Sequence, residues 1–369
     1  MIKNKNSLTD DIEIFFNYLM NRSKLLLKKP NPKDIVYINF AVTYLCNSHC
    51  STCNIWDIYK KNPKKLKEEL NFDEISEIFN KSKLLSKIQT INLSGGEPAL
   101  KKDFVDLCGF FIEKYPNLNL GIATNAVAPS ILLNKLKEFV DIYNPNMKKV
   151  QISISFDGIG ETHDTVRGVR GNFKNTLKFI KSVKADFPEM KQGISFTITP
   201  TNYKDILRSY KLSKKMNMSF GIQFAQTSDF YVNNEKNFVW DNKKLDDVKI
   251  MIDQICSDLK SKQNLLQRLD DVNGYFLKEM VEFQRNGRIS NNCYSGTHSF
   301  FMNPYGDIYP CIMLNKKMGN AFRTNFDELW LSNQSRIIRE YINEKNCRCW
   351  TPCEAHFSLF RDLNLILKL

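Results

Sequence analysis

"CNSHCSTC", residues 46–53, sets three cysteines at positions 46, 50 and 53 directly behind the apolar, β-branched run "IVYINFAV" at 35–42. Four thiolates would close a tetrahedral zinc or iron–sulfur site, so three leave a choice. Zinc with His49 as fourth ligand is one reading, although His49 adjoins Cys50, and neighbouring residues ligate one ion only with strain. The other is a cubane [4Fe–4S] cluster held by three thiolates, with one iron open to a substrate.

The run at 35–42 opens a rhythm. It is followed by a helical pattern near 73–84; then come "IQTINLS" and 102–115, "LNLGIAT" and 130–140, "KVQISISF" and 172–186, "GISFTIT" and 203–217, and finally "SFGIQFA". Six strands alternating with helices predict a parallel sheet of βα units, an α/β fold. The three thiols then sit on the loop at the C-terminal end of the first strand, where such folds bind ligands. After residue 226 the rhythm stops. Residues 242–285 read as a connector of charged helices, and "SFFMNPYGDIYPC" (299–311) as a hairpin turning on Asn-Pro-Tyr-Gly-Asp. That suits a small module with little core of its own, stabilised by a metal centre.

Ten cysteines without an export signal argue for metal or redox chemistry over a disulfide framework. Five fall late, at 293, 311, 347, 349 and 353, while Cys108 and Cys256 lie in helical segments and read as small buried hydrophobes.

Joined to "SGGEP" at 94–98, the C-x3-C-x2-C spacing resembles the radical S-adenosylmethionine (SAM) superfamily over residues 35 to about 226. The resemblance implies a partial (β/α)6 barrel in which Cys46, Cys50 and Cys53 hold a [4Fe–4S] cluster and its open iron chelates SAM. It implies that Gly95, Gly96 and Glu97 meet the methionine amino group, the glycines allowing close backbone approach. Ser153, Ser155 and Asp157 alternate along the fourth strand and are expected on one face, with Ser155 and Asp157 toward the ribose. Arg167 in "HDTVRG" is expected to pair with the SAM carboxylate or to form a loop ion pair. Asn125 in "ATNA" is expected at the ligand end. Many members of the superfamily carry an aromatic residue before the third cysteine; here Thr52 stands there, and Trp56 is the substitute for packing on adenine.

The later cysteines, with "MGN" at 318–320 and "CRCWTPC" at 347–353, resemble the auxiliary-cluster module called SPASM, or its shorter twitch version. Five thiols suit one further [4Fe–4S] cluster, with Cys293, Cys311 and Cys353 as ligands and Cys349 or Cys347 as the fourth. A zinc knuckle is the structural alternative. The implied division is an N-terminal helical extension at 1–34, a core at 35–230, a connector at 231–290 and a small cysteine-rich α+β domain at 291–369.

Such a core abstracts a substrate hydrogen, and an auxiliary cluster suits a net two-electron oxidation. Two substrate classes follow: small hydroxylated or sugar-like molecules, placed slightly ahead, and ribosomally made peptides. Relatives that modify peptides often carry a leader-gripping domain of about 80 residues, longer than the 34 residues before the first strand. Asp229, Tyr231 and Glu235, past the sixth strand, are candidates to face the substrate. No general base stands out, and Cys108 is the one thiol considered for returning a hydrogen. The cluster calls for a flavodoxin- or ferredoxin-type electron donor and the cytoplasm of a cell with low oxygen.

A net charge of +13 raises a nucleic-acid partner, but the lysines are scattered and no Arg-rich block interleaved with aromatics occurs, so none specific is expected. A zinc protein binding nucleic acid is the alternative from a different class. No apolar run reaches membrane-spanning length. An amphipathic segment at 9–27 and the tail "FSLFRDLNLILKL" are expected to pack as helices, with peripheral membrane contact through the tail as the second reading.

Overall fold

The computed structural model describes residues 30–236, 238–261, 271–288 and 292–359. The segment at 9–27 and the tail from 360 lie outside the described residues.

Strands β1 (Tyr37–Thr43), β2 (Thr90–Gly95), β3 (Asn119–Thr124), β4 (Val150–Ser155), β5 (Lys191–Ile198) and β6 (Ser219–Phe224) pair in parallel and in chain order. Helices Phe72–Lys81, Phe104–Lys114, Pro129–Tyr143, Asn172–Asp186 and Ile206–Lys215 connect them. The first of these is set by a reciprocal cap. Asn71 Oδ1 accepts from Glu74 N at 3.1 Å and Glu74 Oε2 accepts from Asn71 N at 2.8 Å.

Alternation along the strands divides the sheet into two unlike faces. Ile91, Leu93, Ile152, Ile154, Phe196 and Ile198 are buried among the apolar residues of the helices. The opposite face carries half-buried Asn92, Ser94, Ser153, Ser155, Ser195 and Thr197. A parallel sheet covered on both faces would show continuous apolar runs. Here the polar inner face is suited to a polar ligand.

The C-terminal hairpin extends this same sheet. β7 (Ser299–Met302) runs parallel beside β1, and β8 (Asp307–Tyr309) and β9 (Gly319–Asn320) follow antiparallel. The order is β6-β5-β4-β3-β2-β1-β7-β8-β9. The turn forms as expected: Asn303 Oδ1 accepts from Tyr305 N at 3.0 Å and Asp307 N at 2.9 Å, and Gly306 takes φ +78°.

The module expected to have little core of its own shares the core of the main sheet. Phe300, Met302, Ile308, Phe326 and Trp330 join the apolar core that also holds Ile38 and Phe40. Trp330 is fully buried, and its Nε1 donates to Pro32 O at 2.7 Å. The connector also has a packing role. Helices Asn242–Lys260 and Val272–Asn286 cover the β5–β6 edge, and Trp350 Nε1 donates to Phe276 O at 3.0 Å. No helix among the described residues is long and apolar enough to cross a membrane.

Candidate active site and metal centres

The three-cysteine loop leaves the end of β1 and is held from below by a helix that the sequence reading missed, Glu161–Arg167. The last carbonyls of a helix have no partner within it. Here His49 N donates to Arg167 O at 3.0 Å, Ser51 N to Val166 O at 2.8 Å and Ser48 Oγ to Arg167 O at 2.9 Å. Gly168 closes the helix at φ +65°, and a Cβ there would meet His49 O at 2.2 Å. The Arg-Gly pair in "TVRG" was the available signal.

Cys46, Cys50 and Cys53 border one open cavity of about 260 Å³. Gly95, Gly96, Asn125, Ser155 and Arg167 border it as well, so eight of the eleven residues expected at the first site come together. Each thiol has a donor at hand. Asn125 Nδ2 stands 3.8 Å from Cys46 Sγ, Ser48 Oγ 3.3 Å from Cys50 Sγ, and Ile55 N 3.5 Å from Cys53 Sγ. Burial pushes Cys46 up to about 11 and Cys53 up to about 12, so metal binding at neutral pH must displace their protons. His49 is exposed, with its ring against Trp56 and its Nε2 3.1 Å from Lys60 Nζ, outside the cavity. Trp56 and Thr52 do border it.

The glycines of "SGGEP" answer to a neighbour within the chain. Gly96 N donates to Thr43 O and Glu97 N to Leu45 O, both at 2.8 Å. A Cβ would stand 2.1 Å from Thr43 O at Gly95, where φ is +118°, and 2.2 Å from Leu45 O at Gly96. The pair lets β2 press against the base of the cysteine loop.

Glu97 faces a small neighbouring cavity with Asn47 and Asn125. Its Oε2 accepts from Asn125 N at 2.7 Å and Thr124 Oγ1 at 3.2 Å, tying β2 to β3, while Oε1 has no partner among the described residues. Burial pushes this carboxyl up to about 7 against those donors.

The shared face expected for Ser153, Ser155 and Asp157 ends at Ser155, where β4 ends. Ser153 lies deeper on the inner face. Asp157 is 1% exposed and engaged through both oxygens: Oδ2 pairs with Arg167 Nη1 at 3.1 Å and Oδ1 accepts from Thr197 N at 2.7 Å. Arg167 is therefore in an ion pair and beside the cavity at once, with Nε unpartnered among the described residues. Burial opposes its charge, but Cys50 and Asp157 outweigh burial and hold it protonated. The same turn uses buried His163, whose Nδ1 accepts from Asp157 N at 3.0 Å. Burial lowers that imidazole to about 4, so it is neutral.

The far wall of the cavity was mostly missed. Thr197, Gln223, Gln226, Tyr231, Met313 and Thr351 form part of it. Of the three post-β6 candidates only Tyr231 is there; Asp229 bonds Asn234, and Glu235 is exposed. Fully buried Asn233 fastens this loop, donating to Thr52 O at 2.8 Å and Gln226 O at 3.0 Å and accepting from Ser228 N at 2.8 Å.

A second, small cavity is bordered by Cys293, Cys311, Cys347 and Cys349, with Met313 shared between the two cavities. Cys353 is not among its lining residues and lies on the side of Tyr37 and Asn39 of β1. Cys108 and Cys256 are buried in helices away from both groups. Among the described residues no three His, Cys, Asp or Glu side chains converge closely enough to hold a single metal ion. Three thiols on one wall, each with a donor, beside an unpartnered guanidinium nitrogen fit a larger cluster carrying a zwitterionic ligand.

Residues 40–213 match the radical SAM superfamily and residues 293–354 match SPASM, an iron–sulfur cluster-binding domain. The chain has a radical SAM superfamily core with a C-terminal SPASM domain, and is an enzyme of the radical SAM oxidoreductase-type class. That architecture implies iron–sulfur clusters and SAM binding. The chain is 24% identical over 304 residues to the AdoMet-dependent heme synthase of Methanosarcina barkeri, spanning 79% of this chain and 81% of that protein. It is 24% identical over 310 residues to the sporulation killing factor maturation protein SkfB of Bacillus subtilis, spanning 84% and 67%. Among solved structures, Streptococcus suis SuiB superposes with a TM-score of 0.59 at 16% identity, over 92% of this chain and 74% of that one. SuiB has also been solved with SAM and with its precursor peptide SuiA.

Proposed function

We propose that this chain is a peptide maturase: a radical SAM enzyme that abstracts a hydrogen from a peptide and completes a cross-link or other oxidation of it. The observation that carries the reading is the single cavity shared by the first thiol trio and a far wall built from β6, its following loop and the C-terminal domain. A substrate held against that wall faces the SAM end. SkfB and SuiB, named for peptide maturation and for a precursor-peptide complex, support the peptide class. The order of the two substrate classes given by the sequence is therefore reversed.

Cys46, Cys50 and Cys53 would hold the first cluster, and Gly95, Gly96, Asn125, Ser155 and Arg167 would surround SAM. When bound, the reduced cluster with SAM at its open iron supplies a 5′-deoxyadenosyl radical. Arg167, kept charged by Asp157, orients a carboxylate. Glu97 keeps β2 and β3 in register beside Cys46 through Asn125. Gln223, Gln226 and Tyr231 offer polar contacts to the substrate. The auxiliary ligands are drawn from the thiols of the C-terminal domain, and a flavodoxin- or ferredoxin-type protein supplies electrons. We place the six βα units in a partial (β/α)6 barrel at 35–230, with the auxiliary domain at 291–369, in the cytoplasm.

A tetrapyrrole-like small molecule is the second reading, favoured by the Methanosarcina relative named as a heme synthase. The two separate on one assay. Anaerobic enzyme with SAM and reductant is given size-fractionated cell extract, and deoxyadenosine release is followed. The peptide reading expects stimulation from a fraction of a few kilodaltons that protease treatment abolishes. Stimulation that survives protease, or that passes entirely with the smallest molecules, overturns it.

A further inference from the structure

The small cavity of the C-terminal domain holds one donor that an all-thiolate site does not use. Glu354 is 2% exposed and borders that cavity with Cys293, Cys311, Cys347 and Cys349. Its Oε2 accepts from Ser299 Oγ at 2.7 Å. Its Oε1 is buried with no hydrogen-bond partner, and no salt bridge reaches it among the described residues. An unpaired buried carboxylate oxygen is costly to keep, and metal coordination is a standard way to satisfy one.

Helix phase explains how it arrives there. Cys353 and Glu354 are successive residues of the helix Pro352–Leu359, and successive side chains point about 100° apart. Cys353 is turned toward Tyr37 and Asn39 of β1, so Glu354 is turned toward the thiols. The helix presents a carboxylate where the sequence pattern offered a sulfur. Of the paired thiols in "CRC", Cys349 precedes fully buried Trp350, which is anchored to Phe276 O at 3.0 Å, whereas Cys347 lies between exposed Asn346 and Arg348.

We propose that Glu354 ligates the auxiliary iron–sulfur cluster through Oε1, completing a site whose other ligands are Cys293, Cys311 and Cys349. This rests on the reading above that the C-terminal domain holds such a cluster. Binding releases the proton of any neutral Glu354, so no further reactant is needed. Cys347 and Cys353 are spare.

The test uses the full chain with Cys46, Cys50 and Cys53 replaced by alanine, reconstituted without oxygen with iron and sulfide. Iron, sulfide and the electron paramagnetic resonance (EPR) spectrum are measured for this parent and for added Cys347→Ala, Cys353→Ala and Glu354→Gln. The parent is expected to hold about four irons, and Cys347→Ala and Cys353→Ala to keep them with an unchanged spectrum. Glu354→Gln is expected to fall to about three irons and to gain the signal of a three-iron cluster. Glu354→Gln with the parent's iron and spectrum overturns the proposal, as does loss of iron in either cysteine variant. Those two variants can still overturn the proposal if Glu354→Gln does not fold, because a site with four thiolate ligands needs one of the two. A parent with zinc or no iron overturns the cluster reading itself, before any Glu354 variant is examined.

Discussion

Replacing Gly96 by alanine adds one carbon at the tightest point beneath the cysteine loop. That Cβ would stand 2.2 Å from Leu45 O and 2.6 Å from Leu45 C. Ordinary carbon contacts begin near about 3.5 Å, so the Leu45 carbonyl must retreat by more than roughly 1 Å. Leu45 adjoins Cys46, and the retreat stretches the 2.8 Å bonds from Glu97 N to Leu45 O and from Gly96 N to Thr43 O. Each bond contributes about 1 kcal/mol net, and overpacking adds about 1–3 kcal/mol, for a total of about 3–5 kcal/mol. Gly221→Ala is the matched control: its Cβ would lie 3.5 Å from the nearest atom, Ile194 O. The assay is urea unfolding of both variants with iron content after anaerobic reconstitution. Gly96→Ala is expected to lose most of its stability margin and the iron of the first site, and Gly221→Ala to stay within about 0.5 kcal/mol of the parent. A Gly96→Ala protein as stable and iron-loaded as the control refutes the reasoning.

Further outcomes follow from the same geometry. Burial raises Glu97 from 4.5 to about 7, so the folded chain holds that proton more tightly than the unfolded one. Its stabilisation is present below about pH 4.5 and is lost as pH rises through about 7; Glu97→Gln should flatten that slope in urea titrations of metal-free protein, and an unchanged slope would count against it. Asn233→Ala breaks three buried hydrogen bonds and should cost about 2–4 kcal/mol while opening the loop after β6 to protease. Cys108→Ala should cost about 1 kcal/mol through a small cavity and leave iron content untouched, because Cys108 is fully buried in the helix Phe104–Lys114.

The alternation of strand and helix periods was legible because each βα unit carries both signals locally. The first thiol trio was legible because it directly follows a strand whose C-terminal end faces the cavity. What escaped depends on where an element stops or turns. The alternation of Ser153 and Ser155 seemed to continue to Asp157, but β4 ends before it, and Asp157 pairs with Arg167 instead. Glu354 rather than Cys353 borders the cavity of the late thiols, a matter of helix phase that a spacing count does not reveal. The docking of β7 on β1 is a long-range pairing, and the far wall with Tyr231, Met313 and Thr351 exists only once that pairing forms. The polar inner face is readable from "SFT" in β5 as well as from "SIS" in β4.

In the proposed reading Cys46, Cys50 and Cys53 hold a cluster that leaves one iron for SAM. Its most direct test compares the wild-type chain with the triple alanine variant after anaerobic reconstitution, measuring iron, sulfide and deoxyadenosine released from SAM. About eight irons should fall to about four, with SAM cleavage abolished. Wild-type protein loaded with zinc, or with iron but unable to cleave SAM under strong reductant, would contradict it.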